Sequence, residues 1–281
     1  MGARHNGRVR AAVLGSPIAH SLSPVLHLAA YRALGLAGWD YEKHECAEPG
    51  LAGFVAGLGP DWAGLSLTMP LKRVALEVAD ELSPLAAATG AANTLVFSGG
   101  RRYADNTDVA GIIATLREAG FDGGGRAVVL GAGGTAQAAL AALRELGVEE
   151  IEVLVRSLGR TGELRATADR IGVTPTLSDA LLDPARASAA LEGADVVIST
   201  LPGAAADPLR RAGPKTVLLD VVYAPWPTPF AAAGAANGAR VCSGLDVLLH
   251  QAVDQVELMT GQPGPVEPMR AALDAAVAAR R

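Results

Sequence analysis

Lysine is scarce in this 281-residue chain: of 24 basic residues only Lys43, Lys72 and Lys215 are lysines. Arginine serves wherever a bare positive charge suffices. A lysine that remains is a candidate for a role in which the ammonium gives up its proton, which arginine cannot do. Lys43 and Lys215 fall in polar or turn-like contexts and carry no such signal. Cysteine is rarer still. Cys46 and Cys242 lie far apart with no C-x-x-C pair, which argues against a disulfide framework and a structural zinc and fits a reduced, cytoplasmic protein. Aromatic residues make up only 4% of the chain, so the core must be built mainly from Ala, Val and Leu. The net charge of −5 leaves no basic stripe to neutralise nucleic-acid phosphates. No apolar run approaches membrane-spanning length. The opening MGARHNGRVRAAVLG has too brief an apolar run for a signal peptide, and Asn6 stands where myristoylation wants Ser or Thr.

What is present is an alternation of strands and helices. Strands are expected at 9–14, 39–46, 63–69, 126–130, 151–155, 194–200 and 216–223, with a last short one at Val241. Helices are expected at 24–34 (Ser23 as N-cap, Pro24 first), 49–58, 83–90, 108–120, from 135, at 163–171 and 229–237, and two within 245–281 broken at 261–265. Pro70 is expected to open a helix carrying Lys72. Residues 93–97 and 101–104 should pair as a hairpin across Ser98-Gly99-Gly100, and the region from 172 to 191 reads as less regular. The alternation implies an α/β fold of two open domains with right-handed crossovers. The first is mostly parallel and spans 1–108, rejoined by helices within 243–281; the second, 109–242, is a Rossmann-type unit. The cleft between two such domains is the usual place for a cofactor to meet a substrate.

The stretch from Arg126 to Ser157 reads as strand, glycine turn, helix, strand. Gly131, Ala132, Gly133, Gly134, Thr135 and Ala136 form GAGGTA, whose glycines let the backbone approach a phosphate while the first helical N–H groups point at it. The second strand ends in Arg156 and Ser157, with Arg160 close behind. An acidic residue there would bind the free 2′-hydroxyl of NAD; a guanidinium suits the 2′-phosphate of NADP. The plainer alternative is a βαβ turn with a surface arginine.

Other polar residues stand at strand ends. Ser21 and Ser23 flank Leu22 at a helix start, where hydroxyls suit a carboxylate, although pattern alone favours a turn at Ser21 and a cap at Ser23. Thr68 ends a strand and Lys72 follows. A helix N-terminus would lower the lysine pKa, though most lysines are simply solvated. In ADNTD (104–108), Asp108 is either an N-cap or the orienting partner of Lys72. Asn93 inside an apolar strand calls for a polar partner. His20 and His27 read as ordinary buried or capping histidines, and no cluster has metal-ligand spacing.

Taken in order, GSPIAHSLSP, SLTMPLK, GAANTL, ADNTD, GAGGTA, the arginine after the second strand, DVVYAPWPTPF and GLDVLLHQA resemble the shikimate dehydrogenase family over nearly the whole chain. The resemblance implies reversible NADP-linked interconversion of 3-dehydroshikimate and shikimate in aromatic amino-acid biosynthesis. It implies that Ser21 and Ser23 hold the substrate carboxylate and that Thr68, Asn93, Asp108 and Gln251 hold the ring hydroxyls. Lys72 then does acid–base work with Asp108. Tyr223 and Gly244 lie near substrate and nicotinamide, and Thr200, Leu201 and Val221 line the cofactor. Two departures stand out. Val155 replaces an Asn common before the arginine, and Ser199-Thr200-Leu201-Pro202 replaces a commoner Asn-Ala-Thr-Ser. Rival readings are an NAD-dependent quinate/shikimate dehydrogenase, a non-catalytic NADP-binding regulatory relative, and a two-domain enzyme of the methylene-tetrahydrofolate dehydrogenase kind. The expected partner is a small molecule, with no nucleic acid or membrane, on a monomer or homodimer.

Overall fold

A computed structural model describes residues 7–280; Asn6, on which the myristoylation reading rests, lies outside them. The chain divides into two compact units, Met1–Thr107 with Leu249–Arg281, and Asp108–Leu248.

The first unit contains β1 (Val9–Gly15), α1 (Ser23–Ala33), β2 (Trp39–Glu45), α2 (Leu51–Ala56), β3 (Trp62–Leu67), α3 (Ala75–Val78), β4 (Glu81–Leu82), α4 (Pro84–Thr89), β5 (Thr94–Ser98) and β6 (Arg101–Asp105). The sheet order is β2-β1-β3-β5-β6-β4. β1 pairs parallel with β2 and β3, whereas β5 is antiparallel to both β3 and β6. From Ala11 onward β1 is a continuous buried apolar run, as expected of a strand covered on both faces. Leu14, Leu65, Leu67 and Leu95 pack into one cluster, Val13, Tyr31, Tyr41 and Met259 into another. The β5–β6 hairpin closes on Gly99 and Gly100, with φ of 58° and 77°. Two successive positive φ values suit a two-residue hairpin turn and are open to glycine without a Cβ penalty.

The second unit runs α5 (Thr107–Glu118, its first residue belonging to the first unit), β7 (Arg126–Leu130), α6 (Gly134–Glu145), β8 (Glu150–Leu154), α7 (Gly162–Ile171), β9 (Thr176–Ser178), α8 (Pro184–Ala190), β10 (Val196–Ser199), β11 (Val217–Asp220), α9 (Pro229–Ala236) and β12 (Arg240–Ser243). Its all-parallel sheet has the order β12-β11-β10-β7-β8-β9. Read from β9 this is the 3-2-1-4-5-6 order of dinucleotide-binding folds, with the direction of winding reversing between β7 and β10. α6 buries Ala138, Ala139, Ala141 and Ala142 as well as Leu140 and Leu143, so small side chains make up most of its inner face. α10 (Gly244–Thr260) begins in this unit and ends in the first, followed by α11 (Val266–Ala278), which packs on α1. Among the described residues no helix is long and apolar enough to cross a membrane.

Several local expectations are corrected. Lys72 sits in successive turns from Met69 to Val74, and the helix after it begins only at Ala75 and lasts one turn. Lys72 therefore precedes the helix instead of lying on its first turn. Ser23 is not an N-cap: α1 starts at Ser23 itself, Leu22 takes the cap position without a side-chain bond, and Ser21 Oγ accepts from the Ser23 N–H at 3.3 Å. The irregular stretch contains β9 and α8; at three residues β9 is too short to show an alternating pattern. β11 stops at Asp220 rather than reaching Tyr223.

Candidate active site

Three of the substrate-side candidates of the first unit, Thr68, Lys72 and Asn93, lie at one edge of its sheet. β1 and β3 both end there: Thr68 N–H donates to Leu14 O, and Ser16 N–H to Met69 O, each at 2.9 Å. Open α/β sheets collect ligands at the carboxyl ends of their strands. β5 runs the other way, so its start lies at the same edge, where Leu67 N–H donates to Asn93 O at 2.7 Å. The half-buried Lys72 joins this edge through its carbonyl, which accepts from Ala92 N–H at 2.7 Å.

The loop that carries Ser21 and leads into α1 at Ser23 is fixed from outside. Ile18 N–H donates to Glu45 Oε2 at 3.0 Å, Lys43 Nζ to Ala19 O at 2.7 Å, and Arg280 Nη1 to His20 O at 3.1 Å. Lys43, which carried no signal in the sequence, thus has a structural task. Ser23 is buried, and its carbonyl accepts from His27 Nδ1 at 2.9 Å. A carbonyl only accepts, so Nδ1 carries the proton. Burial pushes the His27 pKa down to about 4, which keeps the ring neutral, and the ring stacks on Tyr41 with centroids 4.0 Å apart.

Asn93 finds the polar partners its sequence position demanded. It is 2% exposed. Its Oδ1 accepts from Thr107 N–H at 2.8 Å and from Thr94 Oγ1 at 2.9 Å, while its Nδ2 donates to Thr107 Oγ1 at 3.0 Å and Gln251 Oε1 at 3.1 Å. Thr107 Oγ1 also bonds Gln251 O at 3.0 Å. Within ADNTD, Asp105 accepts from Ser83 Oγ at 2.6 Å and Asn106 Nδ2 reaches Thr89 Oγ1 at 2.9 Å. Asp108 follows in the first turn of α5. Sequence reasoning missed Ser66, Thr94, Thr107 and Gln255. Gln255 alone left a usable trace, one helical turn after Gln251 on the same face.

In the second unit the cofactor candidates sit at the carboxyl ends of β7, β8, β10, β11 and β12. Gly131 follows β7 with φ of 105°, and a Cβ there would meet Thr200 Oγ1 at 2.6 Å and Leu201 Cδ2 at 3.4 Å. Thr200 Oγ1 itself donates to Leu130 O at 2.8 Å. Ala132 and Thr135 are half-buried and Ala136 is buried. Gly133 and Gly134 are exposed, and nothing lies within 4 Å of an added Cβ at either. α6 starts at Gly134 without a side-chain cap, so no side chain satisfies its first N–H groups, as is usual where a helix start receives an anion. Beyond β8, Arg156, Ser157 and Arg160 are all exposed, whereas Val155 is buried and its N–H bonds Ser178 O. Val221 N–H donates to Ser199 O at 3.0 Å, and a Cβ on Gly244 would meet Val221 O at 2.0 Å. Tyr223 is 39% exposed. Asp220 steadies this loop by accepting from Thr228 Oγ1 at 2.7 Å, and burial raises its carboxyl pKa. An uncapped helix start, exposed glycines before it and exposed guanidinium groups after β8 are the chemistry that an NADP(H) requires. Among the described residues no cluster of His, Cys, Asp and Glu is suited to a metal.

A family model for the shikimate dehydrogenase substrate binding domain matches residues 13–95, and one for the shikimate 5'-dehydrogenase C-terminal domain matches residues 244–273. The shikimate dehydrogenase (NADP(+)) of Cereibacter sphaeroides is 39% identical over 278 residues, covering 95% of this chain and 97% of its own. The crystal structure of Mycobacterium tuberculosis shikimate dehydrogenase superposes with a TM-score of 0.85 at 48% identity, covering 95% of this chain and 99% of that one. Shikimate 5-dehydrogenase from Thermus thermophilus, in complex with NADP(H) and shikimate, superposes at 0.80 with 31% identity, covering 95% and 99%. Both domain models, the near-full-length match at 39% identity and the two-sheet architecture agree: the chain belongs to the shikimate dehydrogenase family.

Proposed function

We propose that this chain is an enzyme catalysing the reversible, NADPH-dependent reduction of 3-dehydroshikimate to shikimate. The observation that carries the reading is the convergence of Thr68, Lys72 and the hydrogen-bonded Asn93–Gln251 pair on one edge of the first sheet. The Thr68 hydroxyl, the two side-chain amides and the Lys72 ammonium are a set suited to a small polyhydroxylated ring acid. In this reading residues 1–108 with 243–281 bind substrate and 109–242 bind NADP(H). The buried, free Cys46 and Cys242 are in keeping with a reduced cytoplasm, where we place the activity, on a monomer or homodimer.

Ser21 and Ser23 hydroxyls donate to the ring carboxylate, while Thr68, Asn93 and Gln251 hold the ring hydroxyls and Tyr223 borders the ring. When bound, NADPH supplies the hydride for the carbonyl carbon. Lys72 holds a proton at Nζ beside the carbonyl oxygen, delivers it as negative charge develops there, and takes it back in the oxidative direction. Asp108 partners Lys72 and orients the same oxygen. Gly133, Gly134 and Thr135 hold the pyrophosphate, Arg156, Ser157 and Arg160 the 2′-phosphate, and Thr200, Leu201, Val221 and Gly244 border the nicotinamide end. The test is a grid of shikimate and quinate against NADP and NAD, read by absorbance of the reduced nicotinamide. Shikimate with NADP is expected to give the highest kcat/KM; turnover only with NAD and quinate, or none at all, overturns the proposal.

A further inference from the structure

Gln255 lies one turn beyond Gln251 on α10 and is 1% exposed. Its Nε2 donates to Asn93 O at 3.1 Å and Thr94 Oγ1 at 3.0 Å, and its Oε1 accepts from Ser66 Oγ at 2.7 Å. Asn93 O is a carbonyl, which only accepts, so the end of Gln255 facing it must be the nitrogen. Every later donor is then fixed. Ser66 donates to Gln255, so Tyr41 OH donates to Ser66 at 2.6 Å. Thr94 accepts from Gln255, so its own proton goes to Asn93 Oδ1, the atom that also accepts the Thr107 N–H. Asn93 Nδ2 is left to face Gln251 Oε1, with the Gln251 amide nitrogen as the opposite, donating end. The bonds run in one direction from Tyr41 through Ser66, Gln255, Thr94 and Asn93 to Gln251. α10 is thereby tied to Asn93 twice, to its side chain by Gln251 and to its backbone by Gln255.

We infer that Gln255 is a positioning residue for substrate recognition: buried behind Asn93 and Gln251, it sets their height and the sense of their amides without touching the substrate. The inference rests on the proposed role of those two residues as substrate ligands. Buried polar networks act as units when every member is satisfied, and loss of one partner leaves the others unmatched.

The test compares Gln255→Met, nearly isosteric and apolar, with Thr94→Val and the double variant. Thermal midpoints and separate kinetic constants for shikimate and NADP are measured in the full-length enzyme well below the unfolding transition. Gln255→Met is expected to raise the shikimate KM roughly tenfold, leave the NADP KM unchanged, and alter kcat by less than about threefold. The double variant should fall short of the product of the two single effects, because both break the same relay. A lowered midpoint with an unchanged shikimate KM would make Gln255 a packing residue only and overturn the inference, as would multiplicative single effects. If Gln255→Met fails to fold, Thr94→Val and Ser66→Ala, which break the relay on either side of Gln255, must raise the shikimate KM selectively or the inference fails. Gln251→Ala is measured alongside. If it too leaves the shikimate KM unchanged, the substrate assignment itself has failed; if it raises that KM while Gln255→Met does not, only the positioning role has failed.

Discussion

Asn93 Nδ2 donates to Gln251 Oε1 at 3.1 Å, joining residues 158 positions apart in sequence. The bond ties the late helix α10 to the start of β5. Asn93 is the hub, because Thr107, Thr94 and Gln251 all depend on it. Asn93→Ala removes all of these partners at once and leaves a buried N–H unpaired. It is expected to lower stability by about 2–4 kcal/mol, whereas Gln251→Ala should lower it by no more than about 1.5 kcal/mol. Urea unfolding of both variants checks this through the midpoint at unchanged slope. Equal losses would mean that Asn93 is not the hub.

Lys72 is the lysine for which arginine cannot substitute if the proton at Nζ is used. Lys72→Arg and Lys72→Met are therefore expected to lose kcat alike, by about 10²–10⁴, with a much smaller change in shikimate KM. Steady-state kinetics in both directions read this. Near-normal kcat in the arginine variant would show that only positive charge matters there.

Arg156 is exposed at the end of β8, and its removal disturbs no packing. Arg156→Ala should raise the NADPH KM by about 10-fold or more, the order of one lost charge-assisted contact, and barely change the NADH KM. A parallel rise in both would remove the 2′-phosphate assignment.

The sequence already carried the architecture. The glycine turn between β7 and α6 and the apolar runs of β1, β7 and β10 mark a two-sheet α/β chain, because their signals are local and backbone-driven. The side-chain relay was not legible. Ser66, Thr94 and Thr107 are common polar residues in apolar strands or at a helix start, and their meaning arises only when β3, β5 and α10 meet. Lys72 misled for a related reason. Pro70 is a good helix opener, but the chain spends the next residues in turns whose carbonyl at Lys72 serves Ala92. Ser23 resembled a cap because its type is right for one, yet Ser21 holds the Ser23 N–H.

His27 predicts a pH dependence of stability. Its folded pKa is pushed down to about 4 by burial, against about 6.5 in an unfolded chain. Between those values the unfolded state binds more protons, so stability falls as pH falls. The contribution is complete above about pH 6.5 and disappears as pH drops through about 4, a change of order 3 kcal/mol. Asp254, raised to about 6 chiefly by burial, acts with the opposite slope below that pH, so the comparison must be between variants. His27→Phe, which keeps a ring against Tyr41, should show a shallower fall between pH 7 and pH 4.5 in urea titrations. An unchanged slope would mean that His27 takes up its proton in the folded state as readily as when unfolded.

Two glycines separate a packing effect from a cofactor effect. At Gly244 an added Cβ would meet Val221 O at 2.0 Å and Tyr223 Cδ1 at 3.2 Å, so Gly244→Ala must displace the loop after β11. About 1–3 kcal/mol of stability should be lost with activity. At Gly133 nothing lies within 4 Å of an added Cβ, and the backbone, with φ of −79°, suits any residue. Gly133→Ala should therefore unfold at the wild-type urea midpoint and still bind NADP more weakly, because the methyl occupies space that the pyrophosphate needs at the start of α6. Fluorescence titration with NADPH beside the unfolding curve distinguishes the two. Wild-type affinity in Gly133→Ala would mean that the phosphates lie elsewhere, and the open space at Gly133 would then be no cradle.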